Sequence, residues 1–431
     1  MSKRQIYDYD GPPRVCHDGH VYYDPEVIRE SYDLPDFSAR EEVRDRFDDP
    51  LDVIISGGSM GGLFAAVSMS QAGHKPTVYE QTEYGKMRER GAGIIAHPEM
   101  LAFLESQDIA DWDETTTHTS QTHHLGRAGE PLDVEGRATY TSAWDTVYRN
   151  LRRALPDDIY QMGREIVEVE QPDDGVRVRF ADGDVVEGDL LLCAEGYRSS
   201  TRQQYLPDRT PEYAGYIAYR GTIHEEAVPP RYRGRFGEIY NLYHAPDSQF
   251  LTYPVPGPEG GTEQGERRIN WVWYIPYEDD MLEDLLLDSE GRQRTHSLPP
   301  GLIREEVRER HIERAEELLP PQLEWLVRQT AEPFVQCIYD LAVPQMVFDR
   351  VCILGDAAFF IRPHLGAGTA HAAVDALELG ERLWSHDIGS SGWTAADLDA
   401  ALSEWEASQV ETGYRLVEEA RRRGDRYIGQ F

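Results

Sequence analysis

Three separated groups of residues have types and spacings suited to holding a large phosphorylated ligand. The first is GGSMGG (57–62), with Glu80 standing 23 residues beyond Gly57. A turn without side chains lets the backbone approach a pyrophosphate, and the N-terminus of a following helix favours its negative charge. An acid about 20 residues further on accepts hydrogen bonds from an adenosine ribose. The candidate contacts are Gly57, Ser59, Met60, Gly62 and Glu80; Ser59 departs from G-x-G-x-x-G by taking the second glycine position. Next, Arg90 in RGAGI (90–94) offers a guanidinium for phosphate or ribose. The second group is LLLCAEGYRSSTR (190–202), where Glu195 and Gly196 close an apolar run. The third is GDAAFFIRPHLGAGTAHAAVDAL (355–377). Asp356 ends an apolar run; Pro363, Gly366, Ala367, Gly368 and Thr369 then precede a small-residue helix expected to begin at about 368. The carboxyl ends of parallel strands are where open α/β sheets bind ligands. Asp356 could instead simply cap the next helix.

Strands and helices must hold these groups. LDVIIS (51–56) reads as a buried strand, LFAAVSMSQAG (63–73) as a helix stopped by Gly73, and PTVYE (76–80) as a second strand. Together they make a βαβ unit. IVEVEQ (166–171) and VRVRF (176–180) alternate around Pro-Asp-Asp-Gly and predict a hairpin. From about 210 to 340, Tyr-, Trp- and Val-rich runs separated by Pro and Gly predict a mostly antiparallel sheet. Residues 302–330 read as helical, VCIL (351–354) as another buried strand, and 394–424 as a long charged helix capped by Thr394 with Asp397. The fold expected is α/β. A Rossmann-like dinucleotide-binding domain spans 51–206 and 341–390, interleaved with a mostly antiparallel β-sheet substrate domain at 207–340. An N-terminal extension (1–50), with short helical pieces near 26–31 and 38–47, and a C-terminal helical segment (391–431) flank them.

Composition narrows the setting. Asp plus Glu number 78 against 43 Lys plus Arg, a net charge of -35, and lysine occurs only at positions 3, 75 and 86. Such a chain repels phosphate backbones, so nucleic acid is not an expected partner. Acid excess with scarce lysine points to life in high salt, where self-repulsion is screened. No apolar run is long enough to span a membrane, and MSKRQIYDYDGPP lacks the apolar core of a secretory signal. Four scattered cysteines without a CxxC fit a reduced, cytoplasmic protein. No metal is expected. Cys16, His17 and His20 lack a second half-site, and HTSQTHH (118–124) reads as a solvated strand or loop with no spaced carboxylate to complete it.

The three groups, in this order, resemble the class A FAD-dependent aromatic hydroxylases, which share the fold of p-hydroxybenzoate hydroxylase. Glu195 replaces the usual Asp of A-D-G-x-x-S-x-x-R, and the 355–376 stretch fits G-D-A-A…P…G-x-G…D-A. TSAWDTVYRNLRRALP (141–156), YAGYIAYRG (213–221), YPVPG with GERRINWVWY (253–274), PFVQCIYDLAVPQM (333–346) and GDR (424–426) are most similar to the 2,6-dihydroxypyridine 3-hydroxylase branch. The resemblance covers residues 50 to 428 and implies an FAD-binding domain of the glutathione-reductase type. It adds Arg149 to the cofactor contacts, sets Asp356 against the ribityl chain, and lays Pro363 and 366–369 along the isoalloxazine. It implies hydroxylation of a small phenolic or N-heteroaromatic ring through a flavin C4a-hydroperoxide. O2 and transiently bound NADPH or NADH are the co-substrates, and a homodimer is compatible with it. His364, Tyr216 and Asp340 are the catalytic candidates, His364 because its ordinary pKa suits proton exchange with a phenol. Tyr219, Arg220 and Tyr274 come from pocket-lining segments, and His371 stands where the branch often has Lys. The competing readings are a flavin oxidoreductase of the geranylgeranyl-reductase type and a non-catalytic flavin-binding sensor.

Overall fold

The structure is a computed structural model that describes residues 15–17, 20–22, 47–83, 92–136, 138–172 and 175–428. The elements that position the site follow in chain order. They begin with β1 (Asp52–Ser56), α1 (Met60–Gln71), β2 (Lys75–Glu80), β3 (Gln121–Leu125), β4 (Pro131–Glu135) and α2 (Trp144–Arg153). Next come β5 (Tyr160–Met162), β6 (Leu190–Cys193), β7 (Glu212–His224), β8 (Ile239–His244), β9 (Gln249–Val255) and β10 (Arg268–Pro276). The last are β11 (Phe334–Ala342), β12 (Val351–Ile353), α3 (Gly368–Ser385) and α4 (Ala395–Tyr427).

The first sheet runs β5-β2-β1-β6-β12, all parallel, with Val347–Phe348 antiparallel on the β12 edge. Its central strands are unbroken apolar runs because helices cover both faces. Small residues let α1 and α3 approach closely: Ser68 Oγ donates to Ala376 O at 2.6 Å, and a Cβ on Gly380 would run into Ser68. Over α3 lies α4, with Trp405 Nε1 donating to the Asp375 carbonyl at 2.9 Å. Thr394 and Asp397 form the expected capping box at its start.

The second sheet runs β11-β7-β10-β9-β8-β3-β4, with Ser297–Leu298 beyond β11 and Phe359–Phe360 paired to it separately. It is antiparallel except where β8 meets β3. Thus β3 and β4, from 121–135, join the substrate sheet although the sequence division placed them with the dinucleotide-binding segment. One face packs on helices Glu305–Leu318 and Pro321–Gln329 through Trp271, Trp273, Phe250 and Tyr219. The 302–330 region is therefore two helices, parted where Pro321 takes the first position of the second. Because side chains alternate along a strand, Ile217 and Tyr219 enter that core while Ala218 and Arg220 face the first domain.

The hairpin at Ile166–Glu170 and Val176–Phe180 forms as expected. The helical pieces anticipated near 26–31 and 38–47 lie outside the described residues, Phe47 excepted. The histidine tract needs a correction. His124 pairs in register with Asp133, and with Glu135 its potential ligand atoms fall within 4.8 Å of one another. The carboxylates come from across the strand pair, where no spacing along the chain reveals them.

Candidate active site

A cleft of about 2920 Å³ runs between the two sheets. It is several times the roughly 300–1,000 Å³ of a drug-sized site. Gly57, Ser59, Met60 and Glu80 line one end. Gly57 sits at φ 103°, open to glycine and costly for other residues, and a Cβ there would overlap the Ala194 carbonyl. Gly62 lies behind the lining, where a Cβ would run into Gly57 O and force the turn apart. No side chain caps α1, so the N–H groups of its first turn have no intrahelical partner. Glu80 accepts from Gly58 N at 2.7 Å and Thr82 N at 2.8 Å. Tyr160 buttresses the turn by donating to Gly58 O at 2.7 Å. A carboxylate offers about four lone-pair sites, so Glu80 has capacity left for ribose hydroxyls.

Glu195 and Gly196 also line the cleft. The Glu195 carboxylate is occupied inside its own loop. It accepts from Ser56 Oγ at 2.6 Å, Ser199 Oγ at 2.6 Å, Thr201 N at 3.0 Å and Thr201 Oγ1 at 2.8 Å. It therefore shapes the 195–201 turn. Arg149, from α2, donates to Pro258 O at 2.8 Å while its Nη2 is buried without a partner beside the cleft. Arg90 lies outside the described residues.

Asp356 follows β12 and is half-open to the cleft. Burial, reinforced by the nearby Asp375 carboxylate, pushes its pKa up to about 7. Asp375 in turn accepts from Gly355 N at 2.8 Å, and burial raises its own pKa. His371 Nδ1 lies 3.7 Å from Asp375 Oδ1, and neither ring nitrogen has a hydrogen-bond partner. Pro363, Gly366, Gly368 and Thr369 line the cleft, with Ala367 just behind. Gly366 takes a left-handed φ of 65°, and α3 begins at Gly368 with no side-chain cap. The positive end of an 18-residue helix therefore opens onto the cleft.

The opposite wall is the free face of the second sheet. Ala218, Arg220, Leu251, Tyr253, Val272 and Tyr274 line it, with Tyr240 stacked on Tyr253 at 5.2 Å. Arg220 spans to the first domain by donating to Gly93 O at 2.9 Å. Tyr219 is on the other face, stacked on His311 at 4.4 Å.

None of the three catalytic candidates lines the cleft. Tyr216 Oη and His364 Nε2 are 2.8 Å apart against the last turns of α4, with Tyr216 buried and His364 partly so. Burial, with Arg362 and Arg423 nearby, pulls the His364 pKa down to about 3, so the ring is neutral. Asp340 accepts from Arg362 Nε at 2.8 Å and Nη2 at 2.6 Å, and from Arg421 Nε at 3.2 Å. Arg362 also donates to Asp425 at 2.8 Å. These residues tie the sheet to the C-terminal helix. Sequence reasoning gave no role to Tyr160, or to Tyr253 and Asp375, although Tyr253 opens the YPVPG run and Asp375 is the acid of the D-A pair, one turn along α3 from His371.

In sequence and fold the chain is similar to FAD-dependent hydroxylases of class A. A family model described as FAD binding domain-like matches residues 213–340. Among individual proteins, 2,6-dihydroxypyridine 3-monooxygenase of Paenarthrobacter nicotinovorans is 27% identical over 375 residues, 87% of this chain and 91% of that one. The 6-hydroxynicotinate 3-monooxygenase of Pseudomonas fluorescens is 26% identical over 381 residues, covering 84% and 89%. The solved structure of 2,6-dihydroxypyridine-3-hydroxylase from Arthrobacter nicotinovorans matches with a TM-score of 0.80 at 26% identity, covering 88% and 94%. No helix among the described residues is long and apolar enough to cross a membrane.

Proposed function

We propose that this protein is an FAD-dependent monooxygenase that hydroxylates a small hydroxylated aromatic or N-heteroaromatic ring, using NAD(P)H and O2. The observation that carries the reading is one continuous cleft joining a dinucleotide cradle to an aromatic-lined sheet face, with the Gly366–Thr369 turn between them. The donor set suits FAD. Uncapped N–H groups on α1 and the buried Arg149 Nη2 suit a pyrophosphate, Glu80 suits a ribose, and the half-open Asp356 suits a polyol. Held there, FAD would supply the redox and oxygen-activating chemistry that these side chains lack. The positive end of α3 favours negative charge at the cradle's inner end. Leu251, Val272 and Ile338 keep water from the opposite wall, and the tyrosines there offer hydroxyls to orient a ring.

The test is direct. Protein purified in high KCl carries bound FAD, and hydroxypyridines or phenols stimulate its NAD(P)H oxidation, with a product heavier by one oxygen atom. Colourless protein that takes up no FAD refutes the reading. Substrate-independent oxidation that yields only hydrogen peroxide refutes the hydroxylase part of it.

A further inference from the structure

The histidine tract of β3 lines no part of the cleft, yet it meets two carboxylates. His124 lies directly across the strand pair from Asp133, and Glu135 follows two residues along β4 on the same face. His124 Nε2 is 3.2 Å from Glu135 Oε1, and one ligand atom from each of the three residues falls within 4.8 Å of the others. Ligands on one tetrahedral Zn2+, with bonds of about 2.1 Å, stand roughly 3.4 Å apart. The imidazole and one carboxylate are already that close, and the exposed Asp133 needs only a side-chain rotation to join them. Asp133 Oδ1 accepts from Val134 N at 2.9 Å, and a carboxylate has lone pairs to spare after that bond.

A second imidazole stands on the next strand. β8 runs parallel to β3 with Leu242 opposite His124, and His244 is two residues beyond Leu242 on the same face. That diagonal is within reach of long side chains. Burial, reinforced by nearby His124, lowers the His244 pKa, so this ring is neutral at pH 7 and keeps a lone pair. Imidazole beside carboxylate suits zinc, whereas oxygen ligands alone suit magnesium and calcium.

The cluster also sits where the fold is weakest held. β4 is the outermost strand of the second sheet, all five of its residues are exposed, and its register to β3 shifts between His124 and Leu125. An open edge is a template for foreign strands unless something blunts or fastens it. We propose that His124, Asp133 and Glu135 bind a divalent cation of the zinc type, which clips β4 to β3. His244 is in reach of the fourth position. The site is independent of the hydroxylase reading, so its test reads metal and not turnover.

Full-length protein at fixed KCl is stripped with EDTA, dialysed and titrated calorimetrically with Zn2+ in a large excess of Mg2+, which occupies the generic acidic surface. Zn2+ binds saturably through this site and raises the thermal midpoint. His124→Ala and the shape-conserving Glu135→Gln each weaken that binding about a hundredfold or more, since even the loss of a residue that only supports a ligand costs about 10–100-fold. His123→Ala leaves it unchanged, because His123 pairs with Val134 on the other face and hydrogen-bonds Gln121 at 2.9 Å. Each stripped variant keeps the midpoint of the stripped wild type; if His124→Ala fails to fold, Glu135→Gln decides. Zinc displaced by Mg2+, weak binding that never saturates, binding that survives His124→Ala and Glu135→Gln, or an equal loss in His123→Ala each mean an adventitious ion only and overturn the proposal.

Discussion

Replacing Asp340 with alanine separates a structural from a chemical role for a residue the sequence marks as catalytic. Its carboxylate and the Arg362 guanidinium are 7% and 6% exposed and share two hydrogen bonds, at 2.8 and 2.6 Å. Removing one member of a buried pair costs about 3–5 kcal/mol, because the other charge is stranded away from water. Arg362 keeps Asp425 at 2.8 Å, so the expected loss is at the lower end, about 3 kcal/mol. Unfolding entropy of about 2.1 cal/mol/K per residue gives roughly 0.9 kcal/mol/K for a chain of 431 residues. Cooperative unfolding of the whole chain then lowers the midpoint by about 3 °C, and unfolding of a smaller unit lowers it proportionally more. Calorimetry at fixed KCl reads the shift, and flavin content with turnover is measured on the same samples. The double variant Asp340→Leu with Arg362→Met restores most of the midpoint, since neither charge is then left alone. An unchanged midpoint with lost turnover in Asp340→Ala would refute the reasoning and return Asp340 to the chemistry.

Gly62→Ala forces a Cβ into Gly57 O and opens the turn, so the protein should purify with less than about a tenth of wild-type flavin, read from visible absorbance. Asp356 has a folded-state pKa near 7 against an ordinary carboxylate value of 3.8, so the folded chain without FAD binds this proton more tightly than the unfolded chain. Its contribution is full below the ordinary value and is lost as pH rises through 7; Asp356→Asn should therefore stabilise FAD-free protein in alkaline but not in acidic buffer, checked by thermal unfolding. His364 stays neutral across the working range, so His364→Gln should keep both limbs of the wild-type pH–rate profile; loss of one limb would make His364 the base. With a net charge of -35, midpoint and activity should both rise with KCl, and full stability in dilute buffer would contradict the high-salt reading.

The legible parts of the site were those encoded locally. A buried strand, a glycine turn, a small-residue helix and a strand ending in Glu80 fall within 30 consecutive residues, and the delayed start of α3 was written in Pro363, Gly366 and Gly368. What could not be read depends on which distant segments meet. Tyr216 shares a sheet face with Ala218 and Arg220, and alternation predicts that much. That the end of α4 seals Tyr216 from the cleft, pressing Gly424 against it, is a packing fact with no signal in either segment. The Arg362–Asp340 pair likewise joins a cradle loop to a sheet strand. His124 gained its carboxylate neighbours only through the pairing of β3 with β4. Arg220 likewise meets Gly93 only through long-range packing of the two sheets.

The 33 residues of α4 span about 50 Å. Near its start and middle it grips α3, through Trp405 on the Asp375 carbonyl and Gln409 Nε2 on Glu378 at 2.7 Å. Its last turns grip the substrate sheet through Arg421 and Gly424. A rod fastened at both ends works as a splint across the two lobes. Hinge-like opening of the cleft would break the buried Arg362–Asp340 pair, so the splint resists separation of the two sheets.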